Sequence, residues 1–169
     1  MTILLLVRHG ETIDNARQIM QGQTQGQLSE RGVAQAEELA KRLANVHVDA
    51  FVSSDLKRSI DTCEIIAKPH RLPVFTTPLL RERDWGDFTG EYIPDLRDRV
   101  WPENVETMGQ LKERALQFLQ LMSKKYPGQT VLAVGHGIIN KAIQAVHYHK
   151  TMPEIPRMEN AEIRKLILP

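Results

Sequence analysis

Apolar positions along the chain follow two periods. Ile3 to Val7 is a continuous apolar run, as expected of a strand covered on both faces. Shorter runs recur at Asp49–Ser53, Val74–Thr76 and Val131–Val134, and Ile163–Leu168 adds a last strand. Between them the apolar spacing changes to three and four. Val33, Ala36, Leu39 or Ala40, and Leu43 predict a helix from an N-cap at Ser29 to about Asn45. Leu56, Ile60, Cys63 and Ile66 or Ala67 predict a second, capped by Asp55 and ended by Pro69. Leu111, Ala115, Phe118 and Met122 predict a third, stopped at Tyr126-Pro127-Gly128. Ile139, Ala142 or Ile143, and Val146 predict a fourth, opened by Gly135-His136-Gly137. Strands alternating with helices define an α/β class, a three-layer αβα sandwich around a mainly parallel central sheet.

Two stretches break the pattern. Gln21 to Gln27 is rich in Gln and Gly and reads as a loop. From Pro78 to about Glu106 the chain is irregular, dense in charge, and holds Trp85, Trp101, Pro94, Pro102, Gly86 and Gly90. A long irregular segment inside a compact chain is more often a binding loop than filler.

With 169 residues the chain suits a single domain over 1–169. Composition narrows the partners: Lys and Arg total 22 against 21 Asp and Glu. No global field draws in nucleic acid or a membrane, so any anion site must be a local cluster. The lone cysteine, Cys63, excludes an intrachain disulfide and a CxxC metal site, and reads as a buried apolar residue. The opening Met1–Glu11 lacks a basic leader and is too short to span a bilayer. A cytoplasmic protein is expected.

Three charged or imidazole-bearing segments directly follow predicted strands: Arg8-His9-Gly10, Ser53 to Arg58, and Gly135-His136-Gly137. In a parallel sheet they open on one edge, where such folds place their ligands. The segment with Arg81-Glu82-Arg83-Asp84 can cover that edge. The expected pocket holds two imidazoles, at least two guanidiniums and a carboxylate. Guanidinium forks match phosphate oxygens and stabilise a transferring phosphoryl group. Helix N-termini should add N–H donors, and the glycines beside His9 and His136 should let backbone approach the ligand. A metal is not required, because the arginines supply the positive charge. Other candidates carry less. His147 and His149 diverge on a helix, His47 and His70 read as surface residues, and Trp85 and Trp101 read first as packing.

In full, Leu6-Val-Arg-His-Gly-Glu-Thr12 followed by Asn15 resembles the signature of the histidine phosphatase superfamily, in its phosphoglycerate-mutase-like branch. Leu28-Ser-Glu-Arg-Gly32, Ser53 to Arg58 with Thr62, Leu80-Arg-Glu82 with Gly86 and Gly90, Gly135-His-Gly137 and Asn160-Ala161 continue the resemblance in order. One departure is Thr89 before Gly90, where the family often has Glu. The resemblance implies that His9 attacks phosphorus and that Arg8, Arg58 and His136 hold the phosphoryl oxygens. It further implies that Asn15 and Gly137 help bind substrate and that Glu82 protonates the leaving oxygen and then activates water. It implies a metal-independent phosphomonoesterase of the histidine acid type, acting on small phosphorylated metabolites without a cofactor. A cofactor-dependent phosphoglycerate mutase is the alternative enzyme. A phospho-ligand or protein-binding module on the same scaffold is the alternative of another class. Only about a dozen residues separate Gly90 from the helix near Glu106, little material for a lid, which favours water as acceptor.

Overall fold

The computed structural model describes all 169 residues. Five strands form one sheet: β1 (Thr2–Arg8), β2 (Ala50–Ser54), β3 (Val74–Thr77), β4 (Thr130–Gly135) and β5 (Ile163–Leu168), in the order β3-β2-β4-β1-β5. All neighbours are parallel except β5, which runs antiparallel to β1 at the edge. Five α-helices accompany them: α1 (Ile13–Ala16), α2 (Glu30–Leu43), α3 (Lys57–Ala67), α4 (Met108–Lys125) and α5 (Gly137–Tyr148). No helix is long and apolar enough to cross a membrane.

The period of two in β1 divides the core. Leu4 and Leu6 point into an 18-residue cluster with Leu111, Phe118, Met122, Ile139 and Ile143 of α4 and α5. Leu5 and Val7 point the other way, into an 11-residue cluster with Leu39, Leu43, Cys63 and Ile66 of α2 and α3. Helices therefore cover both faces, as the alternating pattern predicts.

Local departures have local causes. Ser29 caps α2 by accepting from the Gly32 N–H at 3.0 Å, but the helix ends at Leu43. Asp55 does not cap α3. Leu56 holds the N-cap position without a side-chain bond, while the Asp55 carboxylate takes both Arg81 Nε and Nη2 at 2.7 Å. The buried face of α3 is also turned from the apolar stripe. Ile60 is half-buried, whereas Arg58, Ser59 and Thr62 are buried because they face the chemistry. The short helix α1 lies beyond any apolar period; a reciprocal cap between Thr12 and Asn15 makes it. His47 is exposed, as expected of a surface residue, and its Nε2 meets Asp49 Oδ1 at 2.8 Å. His70 is half-buried against the Phe51 ring, 5.1 Å between centroids.

Candidate active site

Strand register brings the two imidazoles together. Arg8 of β1 lies level with Gly135 of β4, so the next residues, His9 and His136, leave adjacent strands side by side. Their ring centroids are 5.0 Å apart at 63°. The backbone around His9 is pinned on three sides. Its N–H donates to Gly135 O at 3.1 Å, Asn160 Nδ2 donates to its carbonyl at 3.1 Å, and the Gly10 N–H donates to Thr62 Oγ1 at 3.1 Å. Asn160 and Thr62 thus hold the loop that carries His9.

The His9 tautomer follows from one bond. Nδ1 lies 2.7 Å from the Gly10 carbonyl, which can only accept, so Nδ1 carries the hydrogen and Nε2 keeps its lone pair. Burial holds His9 well below its usual value of 6.5, and the Arg58 and Arg8 guanidiniums push it further. His136 is lowered in the same way, by burial first and then by Arg58 and His9. Both rings are neutral at pH 7.

Arg8 and Arg58 are buried to 7% and 1% exposure. Arg8 Nη1 donates to Met158 O at 2.8 Å. Arg58 Nη2 donates to Gly22 O at 2.7 Å, and Nη1 donates to Thr24 O. Desolvation lowers Arg58 to about 10 and lowers Arg8 as well, yet both remain charged at neutral pH. Arg8 Nε, Arg58 Nε and His136 Nδ1 are buried without any hydrogen-bond partner in the protein. Leaving such groups unmet costs about 1–3 kcal/mol each, and both arginines line the cavity in which His9 lies.

Glu82 sits on the opposing wall. Its Oε1 accepts from the Arg83 N–H at 2.9 Å and the Ile139 N–H at 3.0 Å, and its Oε2 from the Ile138 N–H at 3.0 Å. This corrects one expectation: the first amides of α5 hold Glu82 rather than the ligand. The α3 N-terminus is likewise taken, since Lys57 and Arg58 N–H groups donate to Gln25. Oε2, with a single donor, keeps a lone pair for a proton. The Glu82 backbone is clamped by Gln23 Nε2 and by Arg114, whose guanidinium also bonds the carbonyls of Leu79 and Arg81.

The glycine expectation is also corrected. A Cβ on Gly10 would lie 2.5 Å from Gly32 O, so that glycine admits α2, not a ligand. Gly137 borders Arg8, its notional Cβ 3.4 Å from Arg8 Nε, and it lines the cavity at the start of α5. Asn15 spends its carbonyl oxygen on the Thr12 N–H at 3.1 Å, leaving its amide nitrogen at the cavity wall.

The cavity measures about 270 Å³ and is lined by Arg8, His9, Asn15, Arg58, Glu82 and Gly137. His136 is not among the lining residues; it lies fully buried beside His9, its Nε2 bonded to Ser54 Oγ at 2.9 Å. Six of the seven expected site residues thus line one cavity, and the seventh, His136, packs against His9. Trp85, read first as packing, stacks on Trp101 at 5.3 Å but also lines this cavity with Ile19, Met20 and Ile93. Lys141, Arg157, Gln21, Ser54 and Arg114 were not anticipated. Only the position of Ser54 and Lys141 beside recognised motifs hinted at them.

Two neutral imidazoles, two buried guanidiniums and a carboxylate around one cavity make a site suited to an oxyanion. The chain matches the histidine phosphatase superfamily (branch 1) over residues 4–168 and belongs to it. It is 37% identical over 141 residues to the uncharacterized phosphatase PhoE of Bacillus subtilis, covering 81% of this chain and 72% of that one. It is 36% identical over 159 residues to a metal-independent phosphoserine phosphatase of Arabidopsis thaliana, covering 84% and 67%. Among solved structures, Bacillus stearothermophilus YhfR superimposes with a TM-score of 0.92 at 28% identity, covering 98% of this chain and 90% of that one.

Proposed function

We propose that the protein is a metal-independent phosphomonoesterase that works through a phosphohistidine at His9 on small phosphorylated metabolites. The observation that carries this reading is a neutral, buried His9 with a free Nε2 lone pair in one cavity with Arg8, Arg58 and the Glu82 carboxylate. Arg8, Arg58 and His136 bind the phosphoryl oxygens and neutralise charge that builds there. Nε2 of His9 attacks phosphorus, and the bond from phosphorus to the leaving oxygen breaks with its electron pair on that oxygen. Glu82 supplies the proton. Glu82 then takes a proton from water, whose oxygen attacks phosphorus and releases His9 and phosphate. Covalent catalysis replaces one difficult displacement by two easier ones.

One feature supports water rather than a second metabolite as acceptor. Between Gly90 and Glu106 the chain forms one 3₁₀ turn, Ile93–Leu96, and only Ile93, Pro94 and Arg97 of that stretch line the cavity and its mouth. The lowered His9 value also keeps the nucleophile active in mild acid, which supports an acid-type phosphatase.

Hydrolysis of an aryl phosphate should persist in excess chelator, and loss of turnover would refute metal independence. Rapid quench with a ³²P-labelled substrate should trap an acid-labile phosphoenzyme that His9→Ala abolishes. A fully active His9→Ala variant would remove the nucleophile. Phosphate transfer from 2,3-bisphosphoglycerate to 3-phosphoglycerate faster than hydrolysis would favour the mutase reading.

A further inference from the structure

The cavity opens into an outer vestibule of about 560 Å³ with which it shares Arg8, Asn15, Ile93 and Arg157. Most of its lining residues are polar or charged, with Ile93 and Pro94 as the exceptions. Arg8, Arg97 and Arg157 face it, against the single carboxylate of Glu11, which accepts from Ser29 Oγ at 2.9 Å. Neither Arg97 nor Arg157 has an acidic partner, although Arg81, Arg99, Arg114 and Arg164 each have one. Arg157 stands close enough to Arg8 to lower its pKa through like-charge repulsion.

The backbone that presents these arginines is held in place. Arg164 bonds the carbonyls of Pro156 and Arg157, and is itself fixed by Glu162 at 2.7 Å and Gln144 at 3.0 Å. Arg8 bonds the next carbonyl, Met158 O. Arg97 follows the turn Ile93–Leu96, which is anchored by the Ile93 N–H on Gln18 O at 2.8 Å and by buried Leu96. Three arginines against one carboxylate leave an excess of positive charge at the vestibule that an anion relieves.

We propose that the vestibule is a second oxyanion site, so that preferred substrates are phosphomonoesters whose leaving group carries a carboxylate or a second phosphate. The proposal rests on the phosphatase reading above. Phosphorus sits against His9, and the leaving group extends past Glu82 toward Arg157 and Arg97. Guanidinium forks there pair with either oxyanion in the same geometry.

The test compares kcat/KM within matched pairs. The carboxylate arm sets phosphoserine against phosphoethanolamine, and the phosphate arm sets fructose 1,6-bisphosphate against fructose 6-phosphate. At least one ratio should exceed about tenfold, and the larger names the oxyanion. That ratio should fall about tenfold in Arg157→Gln and drop with added salt. Ratios near one in both arms, or a high ratio that Arg157→Gln and Arg97→Gln leave intact, would overturn the proposal while aryl phosphate hydrolysis still upheld the phosphatase. Absence of any hydrolysis would overturn both.

A separate observation concerns His136. Ser54 Oγ accepts from the Leu56 N–H at 3.2 Å, so its own hydrogen is free for His136 Nε2 at 2.9 Å. Ser59 Oγ lies 3.3 Å from the same nitrogen, with Gly135 O at 3.4 Å to take its hydrogen. We infer that Ser54 is a positioning residue that keeps the His136 proton on Nδ1, the nitrogen without a protein partner. Nitrogen-15 spectra of the imidazoles should show Nδ1–H in the wild type and a mixture in Ser54→Ala. Turnover of an aryl phosphate should fall about tenfold or more in that variant, and Ser54→Thr should restore both. A wild-type His136 protonated on Nε2 would overturn the inference.

Discussion

Acidification should destabilise this protein through two histidines before any carboxylate contributes. His9 and His136 are 2% and 0% exposed, and burial beside Arg58 and Arg8 holds both well below 6.5. In the unfolded chain each takes up a proton near that ordinary value. The unfolded state then binds more protons than the folded one, so stability rises with pH across the interval. Their contribution is complete above about pH 6.5 and is lost as pH falls toward the folded values. Each group gives a slope of about 1.4 kcal/mol per pH unit. From pH 7 to pH 5 that amounts to roughly 2 kcal/mol per histidine and about 4 for the pair, a large part of a typical stability of ~5–15 kcal/mol. Half-buried His147 is also lowered and adds a smaller effect of the same sign. Asp49 and Asp55 are lowered from 3.8, so their contributions disappear only in stronger acid. Urea unfolding at pH 7, 6 and 5, in buffers without phosphate, measures the slope. Phosphate must be absent because a ligand of the folded state would mask the loss. A stability that stays within about 1 kcal/mol over this range would refute the reasoning. So would a His9→Asn, His136→Asn double variant with an unchanged slope.

Further consequences can be measured in the same protein. Glu82→Gln should slow turnover far more for alkyl phosphates than for aryl phosphates with good leaving groups, and equal slowing would exclude it as the acid. Gly32→Ala would set a Cβ 1.9 Å from Glu11 O. It should cost about 3 kcal/mol, the upper end for overpacking, and lower kcat by displacing the His9 loop; an unchanged melting temperature would contradict this. Arg114→Ala releases the carbonyls of Leu79, Arg81 and Glu82 and strands half-buried Glu106. A loss of ~3 kcal/mol in stability is expected, with kcat reduced more than KM is raised, and a pure KM effect would remove Arg114 from the support of Glu82.

Much of this was legible in the chain. The change from apolar runs to spacings of three and four names the layers, because strands buried on both faces and helices buried on one leave those two periods. The direct succession of strand and charged residue at Arg8, Ser54 and Gly135 names the functional edge, because parallel strands end on the same side. What the pattern could not supply was register. That Arg8 aligns with Gly135, and so seats His9 beside His136, depends on hydrogen bonds between residues more than 120 positions apart. The carboxylate of Asp55 caps nothing because Arg81, remote in sequence, competes for it, and the α5 amides serve Glu82 for the same reason. Gly10 and Gly32 are required by each other, a contact of two backbones that no local rule describes. Arg157 looks like an ordinary surface charge in the sequence, and Arg97 stands out only by lying in the irregular segment read as a binding loop. Only tertiary structure brings them to one mouth, because solvated residues carry no periodic signal of what they face. The sequence therefore determined the layers and the candidate site residues, while packing between distant segments decided their alignment, their protonation and the arginines that line the cavity mouth.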